Sequence, residues 1–349
     1  MGEKSAGRAF IGSFTSAGGR GVLAVSVDGP TGALTETGAS DAVADPSYLA
    51  LARIAGKPVL YAVSETAEGA VAAFDVRGAS PRQHGARVPV CGAGPTHLTV
   101  VDGHLLTANY GSGSISVLPL DDEGRPEPVS GVLQHEGSGP DPDRQRGPHA
   151  HQVLADPTGR WVLGVDLGTD TVHVCALDAK AGELTVHAAT SLRPGTGPRH
   201  LAFHPAGTHA YVLNELQPTL TVCRWDGATG RLDPIGEVPV VPEGVTPRTY
   251  PSEVVVSPDG SHLWVANRGH DSIAVLAVDP NRERVTLTTT VPCGGHWPRD
   301  LKLDPAGRRL YVANERSGNV TWFDVDPASG VPRRAGSLDA PAASCVVFA

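Results

Sequence analysis

One pattern recurs three times in the second half of the chain. Gly197-Pro198-Arg199-His200 opens a six-residue apolar-rich run, which turns at Pro205-Ala-Gly into a second run ending Asn214-Glu215. Tyr250-Pro251-Ser252-Glu253 leads the same way through Pro258-Asp-Gly to Asn267-Arg268. Trp297-Pro298-Arg299-Asp300 leads through Pro305-Ala-Gly to Asn314-Glu315. In each copy the Asn lies sixteen residues after the first Pro, and an alternating run follows a short polar turn: 219–225, 272–278 and 319–325. Repetition at a fixed period is the signature of a repeat architecture and constrains the fold before any single residue does.

Three earlier copies are looser. Asp45-Pro46-Ser47-Tyr48 leads to Val63-Ser64-Glu65, Gly94-Pro95-Thr96-His97 to Asn109-Tyr110, and Pro148-His149-Ala-His151 to Val165-Asp166-Leu167. A seventh copy is split. Pro341–Phe348 reads as an opening strand with nothing after it, while Phe10–Phe14 and Gly21–Asp28 read as second and third strands with nothing before them. Joining tail to head completes the module and leaves no open sheet edge. The anchoring prolines 46, 95, 148, 198, 251, 298 and 341 fall 43 to 53 residues apart, the length of four short strands with turns. Fourth strands read from Gly32, Gly182, Gly230 and Val285 onward. The expectation is all-β: a seven-bladed β-propeller of four-stranded antiparallel blades, with the N- and C-terminal strands sharing one blade. Residues 1–349 are read as a single domain. Glycine at 42 and proline at 30 suit the many turns.

The net charge of −9 argues against a nucleic-acid partner or an anionic membrane surface. No apolar run approaches the ~18 residues of a membrane span, and the polar stretch Met1–Arg8 lacks a signal core. Five cysteines, odd in number and without a CxxC pair, fit a reducing compartment, so a cytoplasmic location is expected.

Inner strands of a propeller line its central channel, so the same repeat position from every blade converges on the axis. Alignment on the turns puts Ser47, Thr96, His151, Arg199, Ser252, Arg299 and Ala342 at the entrance of the inner strand, followed by Tyr48, His97, His200, Glu253 and Asp300. A second set, after the Asn position, is Phe14, Glu65, Tyr110, Leu167, Glu215, Arg268 and Glu315. Cations and carboxylates are thus supplied together around one small channel, which suits an anionic substrate held by Arg while a His or Glu moves protons. Some of these charges, Glu65, Glu253, Asp300 and Glu315 foremost, are expected to pair across blades and hold the ring. The repeated Asn109, Asn214, Asn267 and Asn314 are read as structural.

At Ala108-Asn-Tyr-Gly-Ser-Gly-Ser-Ile-Ser-Val-Leu-Pro, Arg144-Gln145, Pro148-His-Ala-His151, Val165-Asp-Leu-Gly-Thr-Asp170, Gly197-Pro-Arg-His-Leu-Ala-Phe-His204, Asn214-Glu215, Val256-Ser-Pro-Asp-Gly260 and Ala266-Asn-Arg-Gly269, the chain resembles the seven-bladed propeller lactonases. That family includes cycloisomerase-type 6-phosphogluconolactonases and 3-carboxy-cis,cis-muconate lactonizing enzymes. The resemblance spans essentially the whole chain and implies a cleft set of His, Arg, Glu and Arg, here His151, Arg199, Glu215 and Arg268 as catalytic residues. Arg299, His149, His200 and Tyr110 are expected to bind substrate. His296-Trp297 departs from what the resemblance leads one to expect, and Arg248-Thr-Tyr250 is not diagnostic of it.

The implied activity is that of a carboxylic ester hydrolase, opening a 6-phosphogluconolactone-like sugar lactone without metal or other cofactor. His151 or Glu215 would act as base, and Arg199, Arg268 and Arg299 would hold the anion. The alternatives are a carboxymuconate-type lactonizing cycloisomerase and a non-catalytic ligand-binding propeller. A metal at His149-x-His151 lacks a third ligand in the sequence. The cysteines read as packed thiols, and a monomer is expected because a closed ring hides its own edges.

Overall fold

The computed structural model describes residues 7–246 and 248–349; Met1–Ala6, part of the polar N-terminal stretch, lie outside the described residues. Seven sheets surround one axis. Blade 1 contains Ala343–Phe348, Gly7–Ser13, Val22–Val27 and Leu34–Ser40 from the inside outward. Blades 3 to 7 open with Pro95–Val101, Ala150–Ala155, Pro198–Phe203, Tyr250–Val256 and Pro298–Leu303, each followed by three antiparallel strands. Blade 2 opens with Leu49–Ile54, and its outer strand is broken into Arg82–Gln83 and Val88–Pro89. No helix of the described residues is long and apolar enough to cross a membrane.

The turn between inner and second strands explains the Pro-x-Gly signature. Gly159, Gly207, Gly260 and Gly307 all sit at positive φ, between 68° and 75°. Each N–H closes a tight turn on the carbonyl three residues back, as Gly207 does on His204 at 2.8 Å, and only glycine takes that conformation without cost.

Closure follows the expected plan. Ala9 pairs with Phe348, Phe10 with Val347, Ile11 with Val346 and Gly12 with Cys345. The core consists of seven apolar clusters, one at each blade–blade interface. The cluster between blades 7 and 1 joins Tyr311, Val320 and Trp322 to Ile11, Leu23 and Val346. Second-strand aromatics also reach the outer turn of the next blade: the hydroxyl of Tyr61 donates to Gly124 O at 2.8 Å and that of Tyr311 to Gly32 O at 2.8 Å, while the indole N–H of Trp264 donates to Gly330 O at 2.7 Å.

A register shift at the start of the inner strand positions the channel residues. Pro198 pairs with Asn214 but His200 with Leu213, so Arg199 is the extra residue of a β-bulge. His151, Ser252 and Arg299 are extra in the same way. Bulges re-aim a side chain, and here they do so at the same place in successive blades. Blade 1 corrects one assignment. Its shift falls between Gly12 and Ser13, which pair with Cys345 and Ala343, so the equivalent residue is Ser344 rather than Ala342. Pro341 stands two residues ahead of the position that Pro198 occupies, which is why alignment on the proline misplaced it.

The repeated asparagines are fully buried and tie the second strand to the third. The side-chain amide of Asn109 donates to the Ser114 and Ser116 hydroxyls, and that of Asn214 to the Thr219 and Thr221 hydroxyls. A chain truncated after Ala342 lacks the inner strand of blade 1 and exposes the cluster at the ring seam. Its thermal melt, followed by circular dichroism, is expected to lose the cooperative transition of the full chain.

Candidate active site at the channel mouth

The bulged residues and those following the Asn position meet at one end of the channel. At the centre is Glu215, 4 % exposed. Its Oε2 lies 2.9 Å from Arg268 Nη2 and 3.3 Å from Arg199 Nε, and its Oε1 accepts a hydrogen bond from Arg144 Nη2 at 2.8 Å. Three guanidiniums therefore converge on one carboxylate. Among the described residues Glu215 is the only carboxylate in ion-pair contact with any of them. Their other contacts are neutral: Arg268 Nε donates to Tyr250 O at 3.0 Å, Arg199 to Ser252 O, and Arg144 to the Tyr110 hydroxyl at 3.1 Å.

The electrostatics follow from this crowding. Burial alone would raise the Glu215 carboxyl, but Arg268, Arg199 and Arg144 together bring it down from 4.5 to about 2. Burial, then the neighbouring Arg268 charge, push Arg199 down to about 9, and burial lowers Arg268 too. The site thus holds two positive charges in excess; burial disfavours the Arg199 and Arg268 cations, whereas Glu215 and the Tyr110 hydroxyl outweigh the burial of Arg144 and favour its charge.

His151 is 5 % exposed, with its ring centre 5.1 Å from that of His200 and 5.6 Å from that of Tyr110. Its Nδ1 is shut off from solvent and has no hydrogen-bond partner among the described residues. Burial and the Arg199 charge hold its imidazole well below the usual range, so it is neutral at physiological pH. His149 stacks on Tyr110 at 4.4 Å and bonds the Tyr110 carbonyl through Nδ1 at 2.8 Å. The backbone N–H of His149 donates to Asp166 Oδ1 at 2.9 Å, which fixes the start of the strand carrying His151.

Arg299 lies apart from the Glu215 cluster. It reaches Glu315 at 3.1 Å and Glu65 at 3.5 Å, and covers the Phe14 ring. His200 is buried and its Nδ1 is 2.8 Å from Glu253 Oε2. Between Arg199, His200, Glu253, Arg299 and Asp300 the channel narrows to a cavity of about 10 Å³, room for roughly one water. Burial and the adjacent Glu253 carboxylate push Asp300 up to about 7. A roomier groove of about 230 Å³, flanked by Lys57, Asp75, Arg77 and Glu123, is lined by opposite charges that pair with each other, Arg77 with Asp75 at 2.6 Å.

Sequence reasoning missed Arg144 as a site residue. It sits on the connector between blades 3 and 4, outside the repeat. The turn that places it is held by Asp141, whose Oδ1 accepts the Arg144 N–H at 3.0 Å, and by Gln145, fully buried, whose amide donates to Leu167 O at 2.8 Å. Arg144-Gln145 stood among the family-like segments, and that was the one available signal. For metal binding, the only group of three candidate ligands among the described residues is His135, Asp166 and His173, which includes neither His149 nor His151. Asp166 is already engaged there by His135 Nδ1 and by the His149 and Thr169 N–H groups.

The family described as lactonase, seven-bladed beta-propeller, matches residues 8–348. The chain belongs to the seven-bladed β-propeller lactonases. Among its relatives in that family, the 6-phosphogluconolactonase of Bacillus subtilis (strain 168) is 32 % identical over 344 residues, 97 % of each chain. Solved structures similar to this lactonase-family chain include the Pseudomonas aeruginosa periplasmic gluconolactonase, with 27 % identity, a TM-score of 0.89 and 99 % coverage of each chain. A Lactobacillus plantarum protein has 30 % identity, a TM-score of 0.92 and 99 % coverage of each chain.

Glu215 generates a test of the cluster. A carboxyl held at about 2 in the fold and near 4.5 when exposed contributes stability that is complete above its unfolded value and lost as pH falls toward 2. E215Q should be destabilised at pH 7 by about 3 kcal/mol. In urea denaturation the difference from the parent protein should shrink toward zero as pH falls from 5 to 2.

Proposed function

We propose that the chain is a lactonase that opens a phosphorylated sugar-acid lactone of the 6-phosphogluconolactone kind at the Glu215 end of its channel. The observation carrying this is the charge imbalance: three guanidiniums share one carboxylate, two of the three are buried, and Arg199 is strained as a cation. An incoming anion relieves that strain. A neutral or cationic ligand would not.

In this reading Glu215 orients the guanidiniums. Both of its carboxylate oxygens are engaged, Oε1 by Arg144 and Oε2 by Arg268 and Arg199, so it serves as an anchor and leaves the proton to His151. The neutral imidazole of His151 takes the proton from water. The resulting hydroxide attacks the ester carbonyl, and the oxyanion forms beside Arg199 and Arg268, whose positive charge favours it. Collapse of the tetrahedral intermediate breaks the bond to the ring oxygen, and the imidazolium returns its proton to that leaving oxygen. The hydroxy acid so formed ionises to the bulk solvent. No step calls for a metal, because the lactone carbonyl is already electrophilic. In this reading Arg144 and Tyr110 at the mouth hold the remainder of the substrate, while Arg299 and His200 border an axial cavity with room for roughly one water and make no contact with the substrate. The five cysteines, all free, fit a cytoplasmic enzyme.

Purified protein should be assayed on 6-phosphoglucono-δ-lactone, glucono-δ-lactone and 3-carboxy-cis,cis-muconate, with background hydrolysis subtracted. The phosphorylated lactone should have the highest kcat/KM. H151N should lower kcat about 10²-fold or more, and R268Q should lower kcat about 10²-fold or more for both lactones. Turnover of the muconate alone would favour the cycloisomerase, and binding without turnover of any of the three would favour the non-catalytic propeller.

A further inference from the structure

Trp297 occupies a backbone position that the fold does not require to be aromatic. In blades 3, 5 and 7 the carbonyl just ahead of the inner strand accepts the N–H of the residue after the repeated Asn: Gly94 from Tyr110, Gly197 from Glu215, and Trp297 from Glu315. All three are left-handed, with φ of 57°, 60° and 66°. Blades 3 and 5 meet the requirement with glycine, blades 1 and 2 with Ala342 and Asp45 at φ of 51° and 47°, whose carbonyls accept the Phe14 and Glu65 N–H groups, and blade 7 with the bulkiest side chain available. Such a residue at positive φ is an outlier, kept only where the surroundings over-determine it. Here they do: Asp271 accepts the Trp297 N–H at 2.8 Å through Oδ1 and engages His296 Nδ1 through Oδ2.

The indole must therefore be explained by what it touches. The guanidinium carbon of Arg268 lies 5.6 Å from its ring centre, that of Arg316 lies 3.4 Å away, and the Tyr250 ring centre is 6.1 Å away. Trp161, Trp225, Trp264 and Trp322 are buried in the blades, whereas Trp297 is partly exposed. Arg316 covers one face of the indole; the remaining, partly wet aromatic surface next to a site arginine offers a place where an apolar ring face can leave water while its polar edge meets charge.

We infer that Trp297, with Tyr250 beside it, is the stacking wall of the substrate site and selects ring-shaped lactones over open-chain esters. The C–H face of the lactone ring packs on the indole, and Arg268 takes the polar end. This rests on the lactonase reading of the channel mouth and adds to it a specificity-determining residue.

The test uses W297G, which places there the glycine of blades 3 and 5, and W297F, which keeps a ring. Both should melt at or near the temperature of the parent protein, W297G no lower, since glycine fits this φ without cost. For glucono-δ-lactone, W297G should raise KM about tenfold with kcat changed less than about threefold. W297F should restore most of the loss. KM for methyl gluconate, an open-chain ester of the same acid, should not move. Titration with 6-phosphogluconate should change the tryptophan emission of the parent protein, and that change should be absent from both variants. Unaltered KM in folded W297G, or an emission change that survives in W297F, overturns the assignment. If the parent protein hydrolyses no lactone, the lactonase reading fails on its own, and the emission titration still decides whether Trp297 meets the ligand.

Discussion

Closing the ring with the chain's own ends is the constraint from which the site follows. Ala343–Phe348 supplies the inner strand of blade 1, and Gly7–Ser13 supplies its neighbour. With that pairing made, every blade has two flanking blades and every interface an apolar cluster. A rigid circular frame then presents one repeat position toward the axis from each blade. The bulge at the start of the inner strand turns that position inward, and His151, Arg199 and Arg299 gain their places by geometry shared with Ser252 and Ser344. Residues scattered over nearly 200 positions become neighbours because the closed frame fixes where each blade points.

The frame also holds an arrangement that would not assemble on its own. Burying like charges together is unfavourable, and one carboxylate among three guanidiniums does not compensate it. The apolar blade interfaces supply the stability that such a site lacks, so charge imbalance at the axis is held in place for use. Arg268, Arg199 and Arg144 hold Glu215 ionised against its burial, while burial first and then the Arg199 charge keep His151 neutral.

Much of this was legible in the sequence, for a physical reason: repeats carry their own alignment. The period, the split seventh module and the two sets of channel residues could be read directly, and His151, Arg199, Glu215 and Arg268 stood in those sets. What could not be read lies where the repeat is silent. Arg144 belongs to an irregular connector, and its placement depends on the turn held by Asp141 and Gln145. Ser344 was displaced by two positions because Pro341 is not in register with the other prolines. The separation of Arg299, paired with Glu315 and Glu65, from the Glu215 cluster depends on side-chain reach, which a one-dimensional alignment lacks. Trp297 stood out only as an unexpected residue. Its left-handed backbone and its place beside Arg268 are visible only in the fold.

The most direct measurement is a crystal structure of the protein with 6-phosphogluconate bound. The account predicts an anionic group of the ligand in hydrogen-bond contact with at least two of Arg144, Arg199 and Arg268, within reach of His151. A ligand seated at the opposite channel mouth, or on the outer edge of a blade with those guanidiniums still bonded only to Glu215, would contradict it.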